Sequence, residues 1–168
     1  PLQTQITDQE LIDHVKLTGA DLLCVSHYIW NHEFLTKQLN RIAPDIKDQV
    51  KIISGGPSIN VNDDPDFFEK YPWVDYAVFA AGEQAMSDIL THLVFDRPLI
   101  AFNTSNCAWK NHRTNKVVVA DYKFVKMIDT SPFVYNEKMF ADMTEDFFKK
   151  HVDMWLPYTL TRGCPYSC

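Results

Sequence analysis

Cys164 and Cys168 stand with three residues between them in the segment Arg162-Gly163-Cys164-Pro165-Tyr166-Ser167-Cys168. Two thiolates this close on one loop form a soft ligand set suited to an iron–sulfur cluster. A 4Fe-4S cluster held by three such thiolates keeps one iron open to a further ligand. Other chemistries compete. The pair could hold zinc, although no second closely spaced pair is present to complete a site. It could form a redox disulfide, although the usual spacing there is C-x-x-C. It could also be two unrelated thiols. The other cysteines, Cys24 and Cys107, have no close partner. Cys24 lies in an apolar run and is expected in the core.

A second set of candidates comes from the elements that would position it. Thr7 and Asp8 can cap a helix with Leu11, Ile12, Val15 and Leu17 on one apolar face, closed by Gly19. Residues 21–28 (DLLCVSHY) read as a buried strand with a polar end. Asn31 can cap the next helix, where Phe34, Leu35, Leu39 and Ile42 recur at helical spacing, and Pro44 is expected to end it. Residues 50–54 (VKIIS) form a second strand running into Gly55-Gly56-Pro57, and residues 75–80 (DYAVFA) a third running into Gly82-Glu83. A helix over 84–95 follows.

Strands separated by helices of this length imply α/β architecture: a Rossmann-like open parallel sheet with helices on both faces. Ligands in such sheets bind outside the carboxyl ends of the strands. Those ends carry Ser26, His27, Tyr28, Trp30 and Asn31, then Gly55, Gly56, Pro57 and Ser58, then Gly82, Glu83 and Gln84. Three loops of small or polar residues therefore face one crevice, a candidate cofactor site.

The pattern changes after residue 97. Residues 99–102 suggest a short strand, and 108–110 could pair with 116–119 as a hairpin. Residues 129–136 read as an irregular linker, 144–150 as a short helix, and 156–161 as a strand leading into the cysteines. The expected organisation is a nucleotide-fold domain over 1–97, a connector over 98–155, and the start of a second domain over 156–168.

The wording Thr161-Arg162-Gly163-Cys164-Pro165-Tyr166-Ser167-Cys168 resembles the cluster loop of radical S-adenosylmethionine (SAM) enzymes, whose pattern is C-x-x-x-C-x-x-C. In that family the loop follows the first strand of a partial TIM-like barrel, which fits the strand over 156–161. The upstream region resembles the cobalamin-binding domain that precedes this barrel in many members. Its signature is a Ser-x-Leu segment followed, after a spacer of this size, by Gly-Gly. Here Ser26-His27-Tyr28 precedes Gly55-Gly56 by 26 residues, with Tyr28 in place of Leu. Gly82-Glu83-Gln84 is similar to the family's Gly-Glu turn.

The resemblance implies three cofactors: a 4Fe-4S cluster, SAM and cobalamin. Cys164 and Cys168 would be metal ligands, with the third cysteine three positions past Cys168. The Gly pair would admit the cobalamin nucleotide tail, because glycine lets a backbone approach a bulky ligand, and the Ser26 hydroxyl would bond that tail. His27, Tyr28 and Trp30 would lie near the lower face of cobalt, Trp30 foremost. A lower-ligand motif, where present, would lie upstream of Pro1. The implied activity is methylation of an unactivated carbon through a 5′-deoxyadenosyl radical and methylcobalamin. Two alternatives stay open: a methylthiotransferase-like radical SAM enzyme with a degenerate non-cobalamin domain, and a corrinoid carrier or sensor.

Composition agrees with a globular enzyme: 46% of the 168 residues are hydrophobic and 23% are charged, outside the disordered range. The formal net charge of −6, with no basic cluster, argues against nucleic acid as a partner. No apolar run approaches the roughly 20 residues of a membrane span. The first twenty residues lack a secretory pattern, so a cytoplasmic location is expected. Partners would be a small-molecule or natural-product-type substrate and an external electron donor of flavodoxin or ferredoxin type. His14, His92, His112 and His151 have no metal spacing and are expected at the surface. The pairs Phe67-Phe68 and Phe147-Phe148 are expected in the core.

Overall fold

A computed structural model describes residues 6–111, 114 and 116–123. These fall in one compact unit spanning residues 1–124. Thr7 starts α1 (Asp8–Thr18) with a capping box: its Oγ1 accepts from Glu10 N at 3.2 Å, and its own N–H donates to Glu10 Oε2 at 2.8 Å. Gly19, at φ +61, closes the helix in the left-handed conformation that glycine tolerates best.

The chain then runs through β1 (Leu22–Ser26), α2 (His32–Ile46), β2 (Lys51–Gly55), α3 (Phe67–Lys70), β3 (Tyr76–Val78) and α4 (Glu83–Phe95). A 3-10 turn over Leu99–Phe102 follows, then β4 (Cys107–Asn111) and β5 (Lys116–Val119). The five strands lie in sequence order. β1, β2 and β3 are parallel, and β4 and β5 join antiparallel. The sheet is therefore mixed rather than wholly parallel. The hairpin read as part of the connector pairs on β3, with Cys107 opposite Val78 and Trp109 opposite Tyr76.

Strand alternation sends neighbouring side chains to opposite faces. Ile52 and Ala77 join a core with Ile12, Val15, Leu39, Ile42, Ile46, Phe67, Phe68 and Trp73. Ile53, Tyr76 and Val78 pack on the other face against Ala85, Ile89, Leu99 and Cys107. Helices thus cover both faces. On α2, Leu39, Ile42 and Ile46 are each 1% exposed. Burying each contributes roughly 1.5–3 kcal/mol, which outweighs the cost of the helix's irregular end.

Three local expectations are corrected. Pro44 lies inside α2 rather than ending it. The helix continues to bury Ile46, and Val50 N–H returns to the Ile46 carbonyl at 3.0 Å. Residues 99–102 form a 3-10 turn instead of a strand, because only Leu99 is buried while Ile100 is 79% exposed. Cys24 is exposed on β1 whereas Cys107 is buried. β1 is the edge strand of the described sheet, so one of its faces has little to pack against. Phe67 and Phe68 are buried, as expected. The expectations at His112, at Phe147-Phe148, at His151 and across 129–168 lie outside the described residues.

Candidate cofactor site

The carboxyl ends of the parallel strands fall in register. Ser26 pairs with Gly55, and Gly55 with Val78, so three loops leave the sheet at one level. The first loop is held against the second through backbone. His27 N–H donates to the Gly55 carbonyl at 2.7 Å, and Ser58 N–H donates to the His27 carbonyl at 3.1 Å. Gly56 adopts φ +100, and a Cβ placed there would lie 2.5 Å from the His27 carbonyl oxygen. Glycine at 56 is thus required by the neighbouring loop. Gly55 differs: a Cβ there would meet the Val78 carbonyl oxygen at 3.4 Å, ordinary contact. On Gly82, which precedes α4, a Cβ would meet Val78 Cγ1 at 2.8 Å.

Asn31 stands at the start of α2, but its side chain bonds none of the helix's first amides. It turns back instead. Its Oδ1 accepts from Tyr28 N–H at 2.7 Å, and its Nδ2 donates to the Ser26 carbonyl at 3.1 Å. This closes residues 26–31 into a compact loop. On its outer side Tyr28 and Trp30 stack, with ring centroids 4.7 Å apart and planes 9° apart. Trp30 is 76% exposed and Ile29 89% exposed. An apolar group this open, beside polar loops, is a surface awaiting a ligand or another protein element.

His27 occupies the opposite side of that loop. Its ring is 1% exposed, stacks on Trp73, and places Nδ1 3.2 Å from Nδ1 of His32. His32 Nε2 lies 3.5 Å from the Tyr71 hydroxyl, the outer limit of a hydrogen bond. The His27 Nε2 has no hydrogen-bond partner among the described residues. Burial, with the His32 ring second, pushes the His27 pKa down to about 4, so the imidazole is neutral near pH 7.

Pro57, Glu83 and Gln84 are exposed, and Ser58 and Gly82 half-buried, in the second and third loops. The third loop is tied down by a residue that sequence reasoning passed over. Asn106 is 1% exposed at φ +58; its Nδ2 donates to the Ala81 and Lys123 carbonyls, both at 2.9 Å, and its Oδ1 accepts from Lys123 N–H at 2.7 Å. Its own carbonyl accepts from Phe79 N–H at 2.9 Å. The signal available was an asparagine just before a strand, a residue that tolerates the left-handed region.

A cavity of about 330 Å³ lies elsewhere, lined by Tyr76, His92, Pro98, Leu99, Trp109 and Lys110 among others. Tyr76 opens β3 and Val78 ends it, so this cavity sits at the amino end, away from the three loops. Burial raises the pKa of Tyr76 there to about 12.

The chain is 27% identical, over 95% of its length, to the cobalamin-dependent radical SAM methyltransferase TokK of Streptomyces tokunonensis, of which it covers 23%. It is 26% identical, over 90% of its length, to the 2-(S-pantetheinyl)-carbapenam-3-carboxylate methyltransferase of Streptantibioticus cattleyicolor, of which it covers 22%. Both relatives are named as methyltransferases, the first of them as cobalamin-dependent and radical SAM. The fold matches structures of OxsB, a cobalamin-dependent SAM radical enzyme, both apo and with aqua-cobalamin bound. Each match has a TM-score of 0.55 at 18% identity and covers 71% of this chain and 16% of that one. No protein-family model matches. The chain thus spans under a quarter of the length of these relatives.

The residues fit a large, flat, partly apolar cofactor. Ser26 is exposed, Gly55 carries no side chain beyond it, and the Tyr28–Trp30 stack offers a planar apolar surface. Among the described residues no group of three or more His, Cys, Asp or Glu could hold a metal ion, and no helix is long and apolar enough to cross a membrane. Cys164 and Cys168 lie outside the described residues.

Proposed function

We propose that this chain is the amino-terminal part of a cobalamin-dependent radical SAM methyltransferase that acts on an unactivated carbon of a small-molecule, natural-product-type substrate. The observation that carries the reading is the alignment of Ser26, Gly55 and Val78 at one sheet end, beside an exposed aromatic stack. Ser26, Gly55, Gly56, Pro57 and Ser58 would receive the nucleotide tail of cobalamin. Tyr28 and Trp30, with the backbone of His27 and Asn31 behind them, would underlie the corrin. Gly82, Glu83 and Gln84 would line the third edge.

Cys164 and Cys168 would supply two thiolates to a 4Fe-4S cluster whose open iron takes SAM. Bound together, these cofactors supply a 5′-deoxyadenosyl radical and a transferable methyl group, the pair that methylation of an unactivated carbon requires. The chain's own part would be to hold the corrin against the sheet end through the Tyr28–Trp30 stack. Reduction of the cluster calls for an external donor of flavodoxin or ferredoxin type, and oxygen-sensitive thiolates suit a cytoplasmic setting.

The test is anaerobic reconstitution of the full-length protein with iron, sulfide and cobalamin, followed by desalting. Retention of a corrinoid visible spectrum with about four irons per chain is expected. Absence of the corrinoid band overturns the cobalamin reading, and iron well below that level overturns the cluster reading.

A further inference from the structure

His32 is the first residue of α2, and His27 is the first residue after β1. Their Nδ1 atoms meet at 3.2 Å behind the loop that carries the Tyr28–Trp30 stack. One nitrogen must donate and the other accept, so the contact fixes the relative orientation of both rings. Trp73 stacks on His27 at a centroid distance of 6.2 Å, and Tyr71 stands edge-on to His32 at 6.1 Å. The His27 backbone bonds Gly55 and Ser58, but the ties within 28–31 are short-range: Asn31 to Ser26 and Tyr28, and His32 N–H to the Tyr28 carbonyl at 2.9 Å. Among the described contacts, the loop's side-chain links into the interior run through these two rings, from His27 to Trp73 and from His32 to His27 and Tyr71.

We propose that His32 is a positioning residue: through His27 it latches residues 28–31 against the sheet, and so sets where the Tyr28–Trp30 stack meets the ligand in the crevice. The proposal rests on the cofactor reading for what that ligand is, but the latch is a property of the protein alone. His32 itself is half-buried, with its ring against His27 and Tyr71.

The test is hydrogen exchange on the full-length protein without cobalamin, comparing wild type, His32→Leu and His32→Asn. Asparagine keeps a hydrogen-bonding atom near the place of Nδ1, and leucine does not. Exchange of the 28–31 amides should be at least tenfold faster in His32→Leu and near wild type in His32→Asn, with the amides of β2 unchanged in both. Unchanged exchange at 28–31 in His32→Leu overturns the latch. So does equal acceleration throughout the domain in both variants, which would mean that the ring only fills space. If the loop loosens as described while no form retains cobalamin, the latch stands and the cofactor reading falls.

Discussion

A methyl group on Gly56 would stand 2.5 Å from the carbonyl oxygen of His27 and 2.8 Å from its nitrogen. Both atoms are backbone and both are pinned in the hydrogen bonds that join the first two loops, so neither can yield. Gly56→Ala adds this clash to the strain of a side chain at φ +100, and a loss of roughly 2–3 kcal/mol is expected. Thermal or denaturant unfolding measures it. Gly55→Ala, whose nearest contact is 3.4 Å, should change stability by less than about 0.5 kcal/mol. A fall in cobalamin retention with that small stability change would separate the ligand-facing glycine from the fold-determining one.

That division shows where sequence reading reached and where it stopped. The pair Gly55-Gly56 was legible as a place of close approach, but one sequence does not say what approaches. At Gly56 it is the His27 backbone, a tertiary contact between loops 29 residues apart. In the first 95 residues β1, β2, β3, α1, α2 and α4 were legible because apolar spacing there follows each element's period, whereas the four-residue α3 is too short to show one. Residues 99–102 misled because an apolar run looks the same whether it is buried or lies over a turn. The placement of the hairpin on β3 depended on register, which no local pattern encodes. His27 read as a loop histidine near a ligand, and its burial against Trp73 became visible only once the chain around residues 71–73 was placed.

Acid should weaken this domain through His27. Its ring faces His32 on α2 and Trp73 from the segment before β3, with Tyr71 beyond His32, and among the described residues no carboxylate bonds it. Nothing there welcomes a proton. The folded-state pKa is about 4, below the ordinary 6.5 of an unfolded histidine. Above about pH 6.5 neither state binds the proton and stability is at its full value. Between about 6.5 and 4 the unfolded chain takes up the proton and the folded one does not, so stability falls as pH falls. The total is on the order of 2–3 kcal/mol, complete below about pH 4. Unfolding free energies measured at pH 7.5 and 4.5 check it, with His27→Gln expected to flatten the difference. An equal slope in that variant would place the acid sensitivity elsewhere.

Asn106 offers a test of how the third loop is held. Its amide satisfies the Ala81 and Lys123 carbonyls and the Lys123 N–H at once, in a buried position. Asn106→Ala leaves these groups unpaired and also strains the φ +58 backbone, for an expected loss of about 2–4 kcal/mol. Asn106→Gly relieves the backbone strain but not the lost bonds, so it should recover about 1 kcal/mol. Because Ala81 leads directly into Gly82-Glu83, exchange of the 82–84 amides should accelerate in both variants. Recovery of wild-type stability by glycine would show that backbone conformation, not bonding, is what Asn106 provides.

Trp30 separates ligand contact from fold most cleanly. Its ring is 76% exposed and touches Tyr28, so little apolar packing is lost on removing it. Trp30→Ala should shift the stability of the cofactor-free protein by less than about 0.5 kcal/mol. If the stack underlies the corrin, the same change removes an aromatic contact worth about 0.5–1.5 kcal/mol. That corresponds to cobalamin affinity weakened by roughly two- to tenfold. Trp30→Phe keeps a flat ring and should retain most of the affinity. Equilibrium titration of the full-length variants with hydroxocobalamin, followed by visible absorbance, distinguishes these outcomes. Wild-type affinity in Trp30→Ala would move the corrin away from this loop, and toward the edge formed by Gly82 and Glu83.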